Sequence, residues 1–228
     1  MTASPSLAPT LALGFDLDGT LVDSLEDIRA ALNACLRELG SPEVGSPEAR
    51  GFIGDGATLL LARALRWTED DPRLPALVER FQYHYASAPA HHNRWMPGAE
   101  TALELGRRLG IPLGICTNKP RKATVALLRA LNVERQLSGL VCGGDLPEKK
   151  PKPAPILALA AQLSVSPGQL VFVGDGPQDV LAAKAAGAIS VGVLGGIADE
   201  ARLREAEPDH LLRDLTGVER LLSALAPQ

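Results

Sequence analysis

Two aspartates, Asp16 and Asp18, stand one residue apart directly after the apolar run at residues 11–15, and Gly19 follows them. In an extended chain, side chains at i and i+2 point to the same side. A strand tip here would present both carboxyls to one pocket, with Gly19 letting the chain turn away. Two converging acids are costly there unless a cation or a proton separates their charges. Three further polar groups follow apolar runs. In Thr117-Asn118-Lys119-Pro120, the hydroxyl, the amide and nearby backbone N–H groups can donate to phosphate oxygens. Thr117 can equally cap the helix that follows, and Lys119 either touches a substrate or faces solvent. Lys149-Lys150-Pro151-Lys152-Pro153 places ammonium groups in a loop that its prolines stiffen. Asp175 follows the run at 170–173, and Pro177 can open a helix with Asp179 in its first turn. Asp179 either serves the site or simply complements the helix macrodipole. Carboxylates with few neutral ligands suit a hard, oxygen-seeking ion, and Mg²⁺ is the usual partner of phosphate.

The elements that must bring these groups together follow from periodicity. A helix is expected over residues 25–39, with apolar residues at helical spacing and Gly40 closing it. Residues 41–92 contain no strand pattern; helices are expected after Pro47, over 57–66 and over 74–85. From Pro97 onward helix and strand alternate: strands at 111–116, 139–142, 170–173, 189–193 and near 210–212, with helices at 99–109, 121–131, 153–163, 178–186, 198–205 and from about 216. The expected fold is therefore α/β, a doubly wound parallel sheet with a Rossmann-like core and an inserted all-helical cap. The expected division is a core of residues 1–23 and 93–228 and a cap of 24–92. Ligands of such sheets bind beyond the carboxyl ends of the strands, where every polar group above falls.

Composition narrows the partners. The 228 residues are 46% hydrophobic and 22% charged, with a formal net charge of -4 and no dense basic run. A nucleic-acid footprint is absent. No apolar run approaches the length of a membrane span. Cys35, Cys116 and Cys142 are odd in number and lie in apolar segments, which reads as free thiols in a reducing compartment. The start, Met1-Thr2-Ala3-Ser4-Pro5, lacks a basic leader. The expectation is a cytoplasmic protein, monomeric or homodimeric, with a small phosphorylated metabolite as its partner.

Asp16-Leu17-Asp18-Gly19-Thr20-Leu21-Val22-Asp23-Ser24 resembles the first motif of the haloacid dehalogenase-like superfamily, in particular of its phosphoglycolate phosphatase-like members. Thr117-Asn118-Lys119-Pro120, Lys150 before Pro151-Lys152-Pro153, and Gly174-Asp175 with Asp179 resemble the other three, in the family's order. The resemblance implies that Asp16 is the nucleophile, that Asp18 is the acid and base, and that Thr117, Asn118 and Lys150 meet the phosphate. Asp16, the Asp18 carbonyl and Asp175 would hold Mg²⁺, with Asp179 orienting the metal from behind. Family members often carry a hydroxyl after the fourth-motif aspartate; Gly176-Pro177-Gln178 stands there instead. The acid at position 18 speaks against carbon–halogen cleavage. Residues 24–92 contain no lysine, which excludes a Schiff-base phosphonate cleavage. A sugar phosphomutase of the β-phosphoglucomutase type and a phosphatase for another organic phosphate remain as alternatives to 2-phosphoglycolate hydrolysis. In the cap, the glycine-rich stretch 50–56 can face the site, and Arg50 either binds a substrate carboxylate or lies on the surface. His84, His91 and His92 are expected to face solvent.

Overall fold

The computed structural model describes residues 11–87, 92 and 94–225. In chain order the elements are β1 (Ala12–Phe15), β2 (Val22–Asp23), α1 (Leu25–Glu38), α2 (Ser46–Arg50), α3 (Ala57–Leu65), α4 (Leu74–Ser87), β3 (Arg94–Trp95), α5 (Ala99–Leu109), β4 (Leu113–Pro120), α6 (Arg121–Ala130), β5 (Gly139–Gly143), α7 (Ala154–Gln162), β6 (Leu170–Gly174), α8 (Pro177–Ala186), β7 (Ile189–Val193), α9 (Glu200–Glu205), β8 (His210–Leu212) and α10 (Val218–Leu225).

Six strands form one sheet in the order β5-β4-β1-β6-β7-β8, and each neighbouring pair is parallel. The side-chain alternation of the central strands explains why helices cover both faces. Leu13, Phe15, Leu113, Ile115, Val171 and Val173 point into one buried cluster, which α5 and α10 close. Ala12, Cys116, Leu170 and Phe172 point into a second, closed by α7 and α8. Gly14 and Gly114 let α7 approach: a Cβ on Gly114 would stand 2.7 Å from the Leu159 side chain. Because the chain leaves β1 toward β4 on one side and returns to β6 on the other, the order reverses at β1. A crevice opens at the carboxyl ends of such a switch point.

Helices α1 to α4 pack on a further hydrophobic cluster, built around Ile28, Leu32, Leu61, Leu74 and Phe81 and joined from the core by Ala123 and Ile197. The entry and exit of this insertion are tied by a two-residue antiparallel ribbon, in which Val22 pairs with Trp95 and Asp23 with Arg94. The three cysteines are buried free thiols, and burial pushes Cys35 up to about 11 and Cys116 up to about 12. No helix among the described residues is long and apolar enough to cross a membrane.

Candidate active site

β1 delivers Asp16 to the crevice, and a tight turn then separates it from Asp18. Gly19 adopts a φ of 85°, its N–H donates to the Val22 carbonyl, and Leu21 and Val22 both donate to the Leu17 carbonyl. The turn gives the two acids different surroundings within one cavity. Asp18 accepts from Ser24 Oγ at 2.5 Å and from Lys119 Nζ at 2.8 and 3.0 Å. Asp16 has a different neighbour, Lys150, whose Nζ lies 2.9 Å from its Oδ1. That approach is too poorly directed for a hydrogen bond, so the buried Oδ1 has no hydrogen-bond donor in the protein.

Asp16, Asp175 and Asp179 bring carboxylate oxygens within 4.8 Å of one another, all three buried. Asp175, at the end of β6, is held from several directions. Thr20 Oγ1 donates to its Oδ1 at 3.1 Å, and the N–H groups of Ile197 and Ala198 donate to its Oδ2 at 2.8 and 3.0 Å. Gly19 and Gly196 flank the carboxylate, where a Cβ on either would fall 2.4 Å from its nearest side-chain atom. Burial, and then the charge of Asp16, push Asp175 up to about 6.

Lys150 is 1% exposed and is fixed by three oxygens: Asp16, the Cys116 carbonyl at 2.7 Å and Asp179 Oδ1 at 2.5 Å. Burial pulls its pKa down, but Asp16 and Asp179 outweigh it, and the group stays an ammonium well above the usual lysine range. Asp179 spends its second oxygen on the Gly176 N–H at the start of α8, so it both caps that helix and braces Lys150. Burial pushes the Asp179 carboxyl up while Lys150 opposes the shift.

With Asp18 paired to Lys119, this cluster holds three carboxylates against one ammonium, an excess of two negative charges. An all-oxygen donor set, two excess charges and an orphaned buried oxygen on Asp16 fit a hard divalent cation.

The strand expected at 111–116 extends through Pro120, with a register shift against β5 between Cys116 and Pro120. Thr117 is therefore no helix cap; Pro120 occupies that place before α6, and the buried Thr117 lines the cavity. Its Oγ1 accepts from the Lys119 N–H at 3.2 Å, which leaves its own proton to give.

Asn118 differs from the expectation for a phosphate donor. Its amide clamps the Lys150 backbone from both sides, Nδ2 to the carbonyl at 3.0 Å and Oδ1 from the N–H at 3.0 Å. The same Nδ2 lies 3.2 Å from the Gly54 carbonyl of the insertion. Sequence reasoning left Lys119 open, and burial removes the solvent-facing option: its Nζ sits between Asp18 and the Tyr85 ring, 4.0 Å from the centroid. Burial lowers its pKa, but Asp18 and Tyr85 raise it further.

The insertion covers this cavity with Ile28, Ile53, Ala57, Leu60 and Phe81, leaving a volume of about 50 Å³. Gly54 and Gly56 also line it, as the glycine-rich stretch suggests. Arg50 turns away and donates to the Gly196 carbonyl at 2.8 Å, beside the N–H groups that hold Asp175. Lys149 Nζ, on an exposed side chain, donates to the Asp55 carbonyl, and Lys152 is exposed. His84 pairs with Glu38 and His92 with Asp27. His91 lies outside the described residues.

A sheet with its switch point at β1 and a lysine-braced acid cluster under a helical cover define a class of hydrolase. The model of the haloacid dehalogenase-like hydrolases matches residues 14–193, and the chain belongs to that family. Within it the chain is a phosphatase. The phosphoglycolate phosphatase of Pasteurella multocida is 35% identical over 217 residues, covering 92% of this chain and 97% of the relative. That of Neisseria meningitidis is 36% identical over 214 residues, covering 91% of each chain. Among solved structures, a predicted phosphoglycolate phosphatase from Haemophilus somnus superposes with a TM-score of 0.85 at 29% identity, covering 95% of this chain and 100% of that one.

Proposed function

We propose that the chain is a Mg²⁺-dependent phosphate monoester hydrolase that works through an aspartyl-phosphate on Asp16, with 2-phosphoglycolate as its substrate. One observation carries the reading: Asp16 sits in the acid cluster against Lys150, while Asp18, two residues on, is turned toward Ser24 and Lys119. One carboxylate thereby stands in the cluster as the nucleophile, and the other stands outside it, placed to move a proton. Asp16 attacks phosphorus in line, forming an acyl phosphate as the ester oxygen departs. Asp18 gives that oxygen a proton, then takes one from the water that cleaves the acyl phosphate, which returns Asp16 and releases inorganic phosphate. Lys150, the Thr117 hydroxyl and the backbone N–H groups after Asp16 stabilise the charge on the transferring group. Asp16, the Asp18 carbonyl and Asp175 would hold Mg²⁺, whose charge lets an anionic phosphate approach an anionic nucleophile. The names of the curated relatives support the substrate, and a buried-thiol composition supports a cytoplasmic setting.

The test is a panel of phosphate monoesters compared by kcat/KM, with product analysis by NMR. The expected result is release of inorganic phosphate, fastest from 2-phosphoglycolate. Isomerised sugar phosphates would favour the mutase alternative, and equal rates on a generic aryl phosphate would remove the substrate.

Cation binding should be pH-dependent with a definite sign. Folding raises Asp175 from 3.8 to about 6, so between these values the folded protein binds more protons than the unfolded one. Without metal, the contribution of Asp175 to stability therefore falls as pH rises through that window. Added Mg²⁺ offsets the loss, because the cation competes with the proton for the same carboxylate. At pH 7.5 and about 100 times its Kd, Mg²⁺ should add about 2.7 kcal/mol, or roughly 5–10 °C in Tm. The shift should shrink toward zero near pH 5, as differential scanning fluorimetry can follow. Absence of any shift at pH 7.5 would remove the metal site. Thr20→Val takes one donor from Asp175 and should weaken Mg²⁺ roughly tenfold, read from a Mg²⁺ titration of activity.

A further inference from the structure

We propose that Lys119 recognises an anionic substituent on the leaving alcohol and makes the enzyme selective for phosphate esters of 2-hydroxy acids. The inference rests on the reading above in which Asp18 protonates the leaving oxygen. Asp18 then marks where that oxygen lies. A cation 2.8 Å from the Asp18 carboxylate is beside the leaving group. The transferring phosphoryl group belongs to Lys150, which stands against Asp16. Two buried ammonium groups thus address two different parts of one substrate. A carboxylate joined to the carbon that bears the ester oxygen is the substituent nearest Lys119 in this arrangement.

The rest of the cavity agrees. Lys119 is its one cationic lining residue among the described residues, and the wall contributed by the insertion is apolar. Such a wall offers a sugar's hydroxyl groups no partners, and buried unpaired hydroxyls are costly. The volume of about 50 Å³ holds a few water-sized groups and suits a compact acid. Lys119 can also turn toward a ligand cheaply. Asp18 keeps its Ser24 hydrogen bond at 2.5 Å, and the Tyr85 ring stays against the ammonium. An ammonium has three donors, so a substrate carboxylate can be added while one bond to Asp18 remains.

The experiment compares kcat/KM for 2-phosphoglycolate and for 2-hydroxyethyl phosphate, which has a hydroxymethyl group in place of the carboxylate, in the native protein, Lys119→Met and Lys119→Arg at saturating Mg²⁺. The native protein should prefer the acid on the order of 30-fold, the scale of a charged hydrogen bond. Lys119→Met should lose most of that ratio, and Lys119→Arg should keep a substantial part of it. A lysine that served only to hold the fold or Asp18 would slow both esters alike in Lys119→Met. An unchanged ratio therefore overturns the proposal while leaving the phosphatase chemistry standing. If the native protein turns over neither ester nor p-nitrophenyl phosphate, the mechanistic reading fails and this proposal fails with it.

Discussion

Asp16→Asn is expected to lower kcat by on the order of 10⁴-fold or more, the scale seen when a covalent nucleophile is removed. The amide cannot form an acyl phosphate, so no phosphoryl group should be trapped on the protein by acid quench and intact mass measurement. Stability should move the other way. Asp16 is one of three facing buried carboxylates, and its charge helps raise Asp175. Removing that charge relieves repulsion, so the metal-free variant should melt at or above the native Tm at pH 7.5. A functional group that is costly to the fold is common at active sites. Asp18→Asn makes the contrast: the phosphoenzyme should form slowly or stall, because the acid and base is gone but the nucleophile remains. Native-level turnover in either variant would overturn the assignment of roles.

Lys150→Met is expected to cost both activity and stability. The ammonium is fully buried between Asp16 and Asp179, and its removal leaves two inaccessible carboxylates without their cation. Breaking a buried ion pair from one side costs about 3–5 kcal/mol, which for a chain of this size lowers Tm by roughly 6–20 °C. Turnover should fall by on the order of 10²–10³, as when an electrostatic donor to the transferring group is lost. The double variant Lys150→Met/Asp179→Asn separates the two effects. Removing the stranded charge should recover much of the Tm and none of the turnover, measured by calorimetry and phosphate release. Recovery of activity would mean that Lys150 acts only by neutralising Asp179.

The paired aspartates after β1 were legible because their pattern is local. An apolar run ends, two acids follow at i and i+2, and a glycine takes the chain away. The amphipathic helix at 99–109 was equally plain, and its bounds coincide with those of α5. Local pattern failed at β4. The polar run Thr117-Asn118-Lys119 does not look like strand, yet it is buried on both sides and the chain pairs with β5 as far as Pro120. Extending the strand would have removed the solvent-facing reading of Lys119, since a buried strand leaves no exposed place for it. Other features had no local signal. The Thr20 hydroxyl meets a carboxylate 155 residues away, and the Asn118 amide meets a backbone 32 residues away. The β2–β3 ribbon joins two-residue strands across the whole insertion. Such pairings emerge only when the sheet order brings distant strand ends together.

The loop of the insertion over the site is held by what every residue carries. Asn118 Nδ2 and Lys149 Nζ, both from the core, reach the main-chain carbonyls of Gly54 and Asp55. These anchor points survive any change of side chain that the backbone there tolerates. A lineage can therefore repaint the ceiling of the chamber, through Ile53 or Ala57, without loosening its seat on the core. The shape of the wall and the seat of the loop are thus set by different atoms.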